Sequence, residues 1–411
     1  MSLYYDDLET RSAAERAADL PLALAEALAN AKRAPTLARS LREVEPEDVR
    51  SMADLARLPV LRKSDLVEAQ ARRPPLGGYA TRHAHEFDHL FQSPGPIYEP
   101  GRLDSDWWRM GRFLTAAGIV KSDVVQNCFS YHLTPAGQMF DSGARAVGAA
   151  VFPAGTGQTE LQLRAAADLG TTVYAGTPDY LKVLLDKAGE QGLRLGITRA
   201  VVGGGALFPS LRALYAEAGI ATFQCYATAD LGLIAYESEQ PEGGAGEGMI
   251  VDERVIVEIV RPGTGDPVPE GEVGEVLVTT LNPDYPLIRF ATGDLSAVLA
   301  GTSACGRTGL RINGWMGRAD QTTKIKGMFV RPEQVAALIA RHPEVARARV
   351  IADRAGEADV MTVQLETRAA DPALYEGSVL EALKLKGRVE IVPPGSLPND
   401  GRVIEDRRRY D

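Results

Sequence analysis

The middle of the chain alternates between short apolar strand patterns and longer helical patterns, and no other feature constrains the fold as strongly. Five apolar runs (VVQNCF, AAVFPAG, TTVYAG, RAVVGGG and ATFQCY) predict strands. The stretches around and between them predict helices over residues 105–117, 136–147, 159–168, 178–191 and 209–218. Strands that alternate with helices of about ten or more residues are typical of a mainly parallel sheet. The predicted fold class is therefore α/β.

The pattern changes twice after this region. Beyond residue 236, the runs MIVDERVIVEIV and VLVTTL are joined by a turn rich in glycine and proline, which predicts antiparallel hairpins in a β subdomain at about 237–316. Residues 317–411 then read strand, helix, strand, strand, helix, strand, the length of a compact α+β module. We therefore predict an N-terminal domain at 1–316 and a small C-terminal domain at 317–411.

Charge and hydropathy exclude several classes of function. The chain has 55 acidic and 45 basic side chains, and a formal net charge of −10 argues against a general binder of nucleic acid or of anionic membranes. Its apolar windows are short and interrupted by charge, and the acidic N-terminus has no signal-peptide pattern, so we expect a cytoplasmic protein. Three widely spaced cysteines predict neither a disulfide framework nor a zinc site.

Four loops that follow predicted strands carry glycines or polar side chains. They lie at residues 130–137, 155–159, 203–206 and 226–230. Ligands bind at the carboxyl ends of the strands in such a sheet, and glycines let a flat ring or a phosphate approach the backbone. Asp230 offers a carboxylate to a cation or a hydroxyl. Each loop alone is equally well explained as a tight turn, whereas several together favour a ligand site.

Residues 289–334 combine many fixed charges with many glycines. The stretch contains a GD turn, an arginine-rich hairpin, the sequence GRAD, a strand KIKG and a helix that begins with proline. This composition suits a site that grips a polar, phosphate-bearing ligand, although solvated hairpin turns would have the same composition.

The order of motifs resembles the phenylacetate:CoA ligase branch of the adenylate-forming superfamily. The resemblance rests on YATAD at 226–230, GEVGEVLVTTL, PLIRFATGDL, GRADQTTKIKGMFVRPEQV and VEIVPPGSLP, and it covers nearly the whole chain in order. It implies an acyl-adenylate synthetase fold with a mobile C-terminal lid. It also implies an enzyme that uses ATP and Mg²⁺ to convert a small, aromatic carboxylic acid to an acyl-AMP. The second product would be a thioester of coenzyme A or of a phosphopantetheine carrier protein.

The resemblance also implies roles for particular residues. Asp294 would accept the ribose hydroxyls of the nucleotide, and Arg318 would lie close to ribose and phosphate. Asp230 stands where the family usually has a magnesium-binding glutamate, and Arg402 is nearest to its C-terminal catalytic lysine. A loop at Tyr131, His132 and Leu133 would wall the acyl pocket. The nucleotide would also contact Gly203, Gly204, Gly205, Tyr226, Ala227 and Thr228. Asp320 would be the hinge, and Lys326 and Gly327 would form a turn beside the pantetheine tunnel.

Two departures from the family pattern leave an alternative open. The stretch that matches the family's phosphate loop, residues 89–101, keeps Ser93 and Gly95 but places Pro94 and Pro96 where amide donors are wanted. The catalytic Gly-Lys is also replaced, and Arg402 keeps its charge without the compact ammonium geometry. We therefore expect slow adenylation. The alternative is an ATP-independent acyltransferase between CoA and a carrier, or a non-catalytic binder, and the family suggests a homodimer.

Overall fold

A computed structural model describes residues 3–103, 106–205, 207–319, 321, 323–326, 328–355, 358–400 and 402–408. Its α-helices, in chain order, are α1 (Ala13–Ala31), α2 (Pro35–Ser40), α3 (Met52–Leu55), α4 (Lys63–Arg72), α5 (Met110–Ala116), α6 (Ala136–Val147), α7 (Thr159–Leu169), α8 (Pro178–Glu190), α9 (Pro209–Glu217), α10 (Pro332–Ala340) and α11 (Ala373–Leu383). None of the helices in these ranges is both long and apolar enough to cross a membrane.

The strands, in chain order, are β1 (Leu61–Arg62), β2 (His89–Ser93), β3 (Ile97–Gly101), β4 (Val124–Asn127), β5 (Ala150–Phe152), β6 (Val173–Gly176), β7 (Arg199–Val202), β8 (Ala221–Thr228), β9 (Gly232–Tyr236), β10 (Met249–Val251), β11 (Val255–Val260), β12 (Gly274–Thr280), β13 (Phe290–Ser296), β14 (Val298–Leu299), β15 (Arg311–Ile312), β16 (Thr323–Ile325), β17 (Met328–Val330), β18 (Arg347–Ala355), β19 (Ala358–Glu366), β20 (Arg388–Val392) and β21 (Ile404–Asp406).

The largest sheet has the strand order β14-β15-β10-β9-β8-β7-β6-β4-β5. Strands β4 to β8 pair in parallel, with helices between them along the chain. Strand β9 then pairs with β8 in the antiparallel direction, as do β10 with β9 and β15 with β10. This arrangement confirms the predicted α/β class.

Both faces of the parallel strands are buried, which explains their nearly continuous apolar sequences. On β7, Val201 belongs to one apolar cluster, whereas Ala200 and Val202 belong to another. Successive side chains of a strand point to opposite faces, so the two clusters lie on the two sides of the sheet. The sheet edge at the carboxyl ends of these strands is thereby held rigidly from both sides.

One predicted helix is shorter in the structure than in the sequence pattern. The helix expected over residues 105–117 begins only at Met110, as α5. Its preceding residue, Arg109, has a φ of +65°, which no helical residue can adopt. Arg109 is held there because its guanidinium donates to Asp252 and to the backbone carbonyls of Leu231 and Leu233.

The chain divides into two compact units that are discontinuous in sequence. Unit 1 comprises Met1–Val257, Val278–Phe290 and Leu299–Trp315, and unit 2 comprises Glu258–Leu277, Ala291–Val298 and Met316–Asp411. Residues 258–277 and 291–298, which the sequence assigned to the N-terminal domain, therefore belong to unit 2. Strands β11, β12 and β13 form a four-stranded sheet with β1 in the order β1-β13-β12-β11.

Unit 2 has its own sheet and core. The strand order is β20-β19-β18-β21, and α10 and α11 contribute side chains to the same apolar cluster as this sheet. Val350 and Val363 of the sheet and Leu338 and Val379 of the helices are all at most 1% exposed. This core matches the α+β module that the sequence predicts for the end of the chain.

Candidate active site

The predicted acyl-pocket loop follows β4 and is fixed at one end by hydrogen bonds. The side-chain amide of Asn127 donates to the hydroxyl of Tyr131 at 2.8 Å, and this hydroxyl donates to Asp141 at 3.3 Å. His132 and Leu133 are exposed instead, and Leu133 has a φ of +64°. Burial and the Asp141 carboxylate raise the pKa of Tyr131, so the phenol remains protonated. The loop thus offers one anchored ring and two exposed side chains.

The glycine loop after β7 lies beside an aromatic pair. A Cβ atom on Gly203 would meet the sulfur of Cys225 at 3.0 Å, and one on Gly204 would lie 3.7 Å from the ring of Phe129. The Phe129 ring stacks on Phe140 with a centroid distance of 4.4 Å. The side chain of Gln224 donates to the carbonyl of Gly205 at 3.0 Å and fixes the end of the loop.

The neighbouring strand β8 carries the other predicted nucleotide-binding residues. Tyr226 is 7% exposed, and the pairing register with β9 shifts between Tyr226 and Ala227, which marks a bulge. The hydroxyl of Thr228 accepts a hydrogen bond from the backbone amide of Leu231 and holds the turn that follows. That turn contains Asp230, so all of these residues lie at the carboxyl end of one sheet region in unit 1.

Asp230 is buried and lies beside a lysine that the sequence analysis did not select. The residue is 7% exposed, and neither of its carboxylate oxygens accepts a hydrogen bond from the residues that the structure describes. The Nζ atom of Lys63, at the start of α4, lies 3.0 Å from Oδ2 in an ion-pair contact. Lys63 is still 38% exposed at its side chain, whereas the Asp230 side chain is only 1% exposed.

A second buried carboxyl group interacts with this pair. Glu99, in β3, is 1% exposed, and its Oε1 atom accepts a hydrogen bond from Ser93. Burial, and then the negative charge of Asp230, raise the pKa of Glu99 to about 8, while Lys63 opposes the shift. The hydroxyl of Tyr285 is buried nearby and has no hydrogen-bond partner among the described residues, and its pKa is raised by burial and by Asp230 and Glu99. Sequence reasoning missed Lys63, Glu99 and Tyr285, because they lie far apart in the chain and none of them belongs to a distinctive motif.

The stretch that corresponds to the family's phosphate loop forms a tight hairpin. Strands β2 and β3 pair in an antiparallel register from His89 with Gly101 to Ser93 with Ile97. The three turn residues are exposed and include both prolines, so only Gly95 has a backbone amide to offer. The hairpin therefore lacks the row of amide donors by which a glycine-rich loop holds phosphates.

In unit 2, the two residues predicted to hold the nucleotide meet directly. Arg318 donates from Nη1 to Oδ1 of Asp294 at 2.8 Å, and their backbones form an antiparallel bridge. The Asp294 side chain is 10% exposed, whereas that of Arg318 is 53% exposed. A Cβ atom at Gly293, whose φ is +74°, would lie 2.9 Å from Nη2 of Arg318. The positive φ favours a glycine at this position, and a Cβ there would also displace the guanidinium.

The other predicted residues of unit 2 lie in exposed turns. Lys326 has a φ of +48°, and its backbone amide donates to Asp359 at 2.9 Å. The Arg402 side chain is exposed, and its backbone amide donates to Asp400 at 3.0 Å. The predicted hinge residue Asp320 and the predicted turn residue Gly327 lie outside the described residues.

Several arginines of the stretch at 289–334 bind the protein itself, which overturns the interpretation of the whole stretch as a ligand grip. Arg289 is 2% exposed and donates to the carbonyls of Ala56 and Leu58. Arg307 is 3% exposed and donates to Glu9 at 2.7 Å. Buried guanidinium groups need such partners, so these side chains stabilise the fold and leave Arg318 as the exposed cation beside Asp294.

Comparisons with known proteins find relatives over most of the chain. No family model matches the chain. It is 30% identical over 360 residues to the phenylacetate-coenzyme A ligase of Thermus thermophilus, covering 84% of this chain and 79% of that protein. It is 28% identical over 354 residues to the phenylacetate-coenzyme A ligase of Escherichia coli, covering 80% and 77%.

Solved structures extend the similarity over the full length. A 2-hydroxyisobutyryl-CoA ligase in the postadenylation state, in complex with R3-HIB-AMP, superimposes with a TM-score of 0.73 at 26% identity, covering 99% of this chain and 93% of that one. The same ligase in the thioesterification state, in complex with 2-HIB-AMP and CoA, gives a TM-score of 0.71 at 26% identity, covering 98% and 92%.

Proposed function

Because the chain belongs to the phenylacetate-CoA ligase branch of the adenylate-forming superfamily, we propose that it activates a small carboxylic acid with ATP to an acyl-AMP and converts this to a CoA thioester. The observation that carries the proposal is the similarity over 99% of the chain to a ligase solved with an acyl-AMP. The paired residues Asp294 and Arg318 support it, because they keep the carboxylate and the cation that a nucleotide needs.

We assign the ribose and the phosphates of the nucleotide to Asp294 and Arg318 by the family resemblance. A buried carboxylate accepts hydrogen bonds from two ribose hydroxyls more readily than an exposed one, because water competes less for it. Arg318 is half exposed, so it can turn from Asp294 towards a phosphate oxygen without leaving a buried charge behind. We assign Asp320 to the hinge, and Lys326 and Gly327 to the region beside the pantetheine arm of CoA, by the family resemblance.

We assign the adenine ring and the acyl group to residues of unit 1, also by the family resemblance. Gly203, Gly204 and Gly205 leave room for a flat ring, with Tyr226, Ala227 and Thr228 on the adjacent strand, and Tyr131, His132 and Leu133 line the acyl group. The hydrogen bonds from Asn127 to Tyr131 and from Tyr131 to Asp141 fix the ring of Tyr131 and support its role as a wall of the acyl pocket. We propose an aromatic acid as the substrate because of this ring and the nearby Phe129 and Phe140 pair.

Asp230 fits a magnesium ion. Its buried oxygens accept no hydrogen bond from the described part of the chain, and a carboxylate whose contact there is an ion pair with a partly exposed lysine suits a hard cation. Mg²⁺ bound there would neutralise the charge that builds on the phosphate oxygens as the acid attacks. Lys63 already contributes one positive charge at 3.0 Å from Asp230 and partly offsets the cost of burying it.

The hairpin at 89–101 supports a second candidate function. With two prolines in its turn, it has few donors for the β- and γ-phosphates, and Arg402 is the cation available near the C-terminus in place of the family's lysine. The loss of one such donor costs about 3–4 kcal/mol of transition-state stabilisation. An ATP-independent acyl transfer between CoA and a carrier protein would need neither the donors for the phosphates nor the catalytic cation. This second function includes a carrier protein as the acceptor of the acyl group. We also propose a homodimer, by the family resemblance.

Acid-dependent exchange of pyrophosphate into ATP tests the two functions. We expect exchange with at least one acid of a panel that includes phenylacetate, benzoate and 2-hydroxyisobutyrate, followed by thioester formation when CoA is added. Asp294→Ala should reduce exchange by on the order of a hundredfold or more, because the ribose loses its acceptor. Asp186→Ala, which removes an exposed carboxylate on α8, is the matched control and should leave it unchanged.

Two outcomes contradict the ligase. The first is exchange that survives Asp294→Ala at the wild-type rate. The second is the absence of exchange with every acid, together with acyl transfer from a supplied acyl-CoA to a carrier protein without ATP, which would establish the second function.

A further inference from the structure

Three buried side chains of unit 1 have polar atoms without a hydrogen-bond partner among the described residues. They are Oε2 of Glu99, both oxygens of Asp230 and the hydroxyl of Tyr285. The three residues are 1%, 7% and 3% exposed, respectively. Leaving a buried polar group without a partner is costly, so such a concentration indicates a ligand that supplies the missing interactions.

The elements that carry these residues are joined by hydrogen bonds. The side-chain amide of Gln70, in α4, donates to the carbonyl of Tyr98 at 2.7 Å and accepts from its amide at 2.8 Å. This fixes β3, with Glu99, against the helix that begins at Lys63. The ion pair of Lys63 with Asp230 then fixes the same helix to the turn after β8. Helix α4 is therefore joined both to the strand that carries Glu99 and to the turn that carries Asp230.

Ser93 orients Glu99 so that one oxygen remains available. Its hydroxyl donates to Oε1, while Oε2 has no hydrogen-bond partner in the described part of the chain. Two carboxylates in one buried region would need two positive charges, and Lys63 supplies only one, from a side chain that is 38% exposed. The region therefore lacks one positive charge when both carboxyl groups are ionised.

We propose that Glu99 and Asp230 together bind one divalent cation, with Ser93 holding Glu99 in place and Lys63 acting as the counter-ion that the cation displaces from Asp230. The cation at Asp230 is part of the proposed function, and this inference rests on it. The new element is Glu99, as a second ligand of the same cation. Within the described ranges, no group of three or more histidine, cysteine, aspartate or glutamate side chains could hold a metal ion. The proposed site has two carboxylates, which suits Mg²⁺ because that ion takes its remaining ligands from water and phosphate.

A cation bound in this way also gives the hairpin at 89–101 a function. The turn at 94–96 offers a phosphate one amide, but the returning strand β3 brings a second carboxylate to the cation. A cation held by two carboxylates is bound before the nucleotide arrives, and its charge attracts the phosphates. The hairpin then acts on the phosphates through the metal ion and not through its own backbone.

Titration of the free protein with Mn²⁺, followed by electron paramagnetic resonance of the unbound ion, tests the proposal without any turnover. We expect one site in the wild-type protein. Glu99→Gln and Asp230→Asn should each weaken Mn²⁺ binding at least about tenfold, because each removes a charged ligand. Lys63→Met should tighten it by about two- to fivefold, because a partly exposed ammonium no longer competes for Asp230.

Glu237→Gln is the matched control. Glu237 is also a buried carboxylate, but it is saturated by Arg212 at 2.6 Å and by the amide of Gln224 at 2.7 Å, so its loss should not change Mn²⁺ binding. Circular dichroism spectra identical to wild type establish that each variant is folded.

The outcomes separate this inference from the proposed function. If Asp230→Asn abolishes Mn²⁺ binding and Glu99→Gln leaves it unchanged, the inference is overturned while a cation at Asp230 stands. If the folded wild-type protein binds no Mn²⁺ at millimolar concentration, or if Lys63→Met weakens binding, the two-carboxylate site is also overturned. Thioester formation, measured separately, then decides the ligase function on its own.

Discussion

We expect Glu99 to make the protein less stable as the pH rises from about 5 to 8. Burial and the Asp230 carboxylate raise the pKa of Glu99 from its ordinary value of 4.5 to about 8. Between these values the folded protein keeps a proton that the unfolded chain has released. The folded state therefore binds more protons, and the free energy of unfolding falls as the pH rises through this window. Below pH 4.5 and above pH 8 the contribution of Glu99 is constant.

The size of the effect follows from the two pKa values. Each pKa unit corresponds to about 1.4 kcal/mol, so the shift sets an upper limit of roughly 5 kcal/mol on the destabilisation. The ammonium group of Lys63 favours the ionised form of Glu99, and its effect is already contained in this pKa. Relaxation of the surroundings around the new charge reduces the destabilisation below the limit. A loss of about 2–3 kcal/mol should lower the melting temperature by on the order of 5 °C in a protein of this size.

Melting curves at pH 5 to 9 in the presence of a chelator test this reasoning, since a bound cation would itself lower the pKa of Glu99. We expect the wild-type melting temperature to fall faster with pH than that of Glu99→Gln, which keeps the shape of the side chain and has no charge to bury. Glu68→Gln, on the exposed side of α4, should follow the wild-type curve. Parallel curves for wild type and Glu99→Gln across this range would refute the assignment of the buried charge to Glu99.

Three further substitutions test the structural account. Arg289→Met should lower the free energy of unfolding by about 2–4 kcal/mol in chemical denaturation, because the buried carbonyl of Leu58 and the partly buried carbonyl of Ala56 lose their donor; a loss below 1 kcal/mol would contradict this. Gly293→Ala should weaken the thermal shift caused by AMP, because a Cβ at a φ of +74° would displace Arg318; Gly170→Ala, at a φ of +64° with open space around it, is the control for backbone strain alone. Tyr131→Phe should cost about 1 kcal/mol of stability by removing the bond to Asp141, and an unchanged melting temperature would contradict that.

The sequence by itself determined the elements whose causes are local. The helix at 136–147 is α6 with the same bounds, and the helices predicted from 159, 178 and 209 begin at those residues. Periodicity, prolines at helix starts and glycines at helix ends act over a few residues, so they can be recognised without knowing the fold. The α/β class and the family resemblance followed from the order of these local patterns.

Only the tertiary structure decided which charged residues meet. Lys63, Glu99 and Asp230 come from a helix start, a hairpin strand and a turn after the central sheet, and no spacing in the sequence links them. The arginines near residue 300 likewise form one charged stretch in the sequence, yet Arg289 and Arg307 are buried and Arg318 is exposed. Burial and ion pairing depend on contacts between distant segments, because desolvation is set by everything packed around a charge and not by its neighbours in the chain.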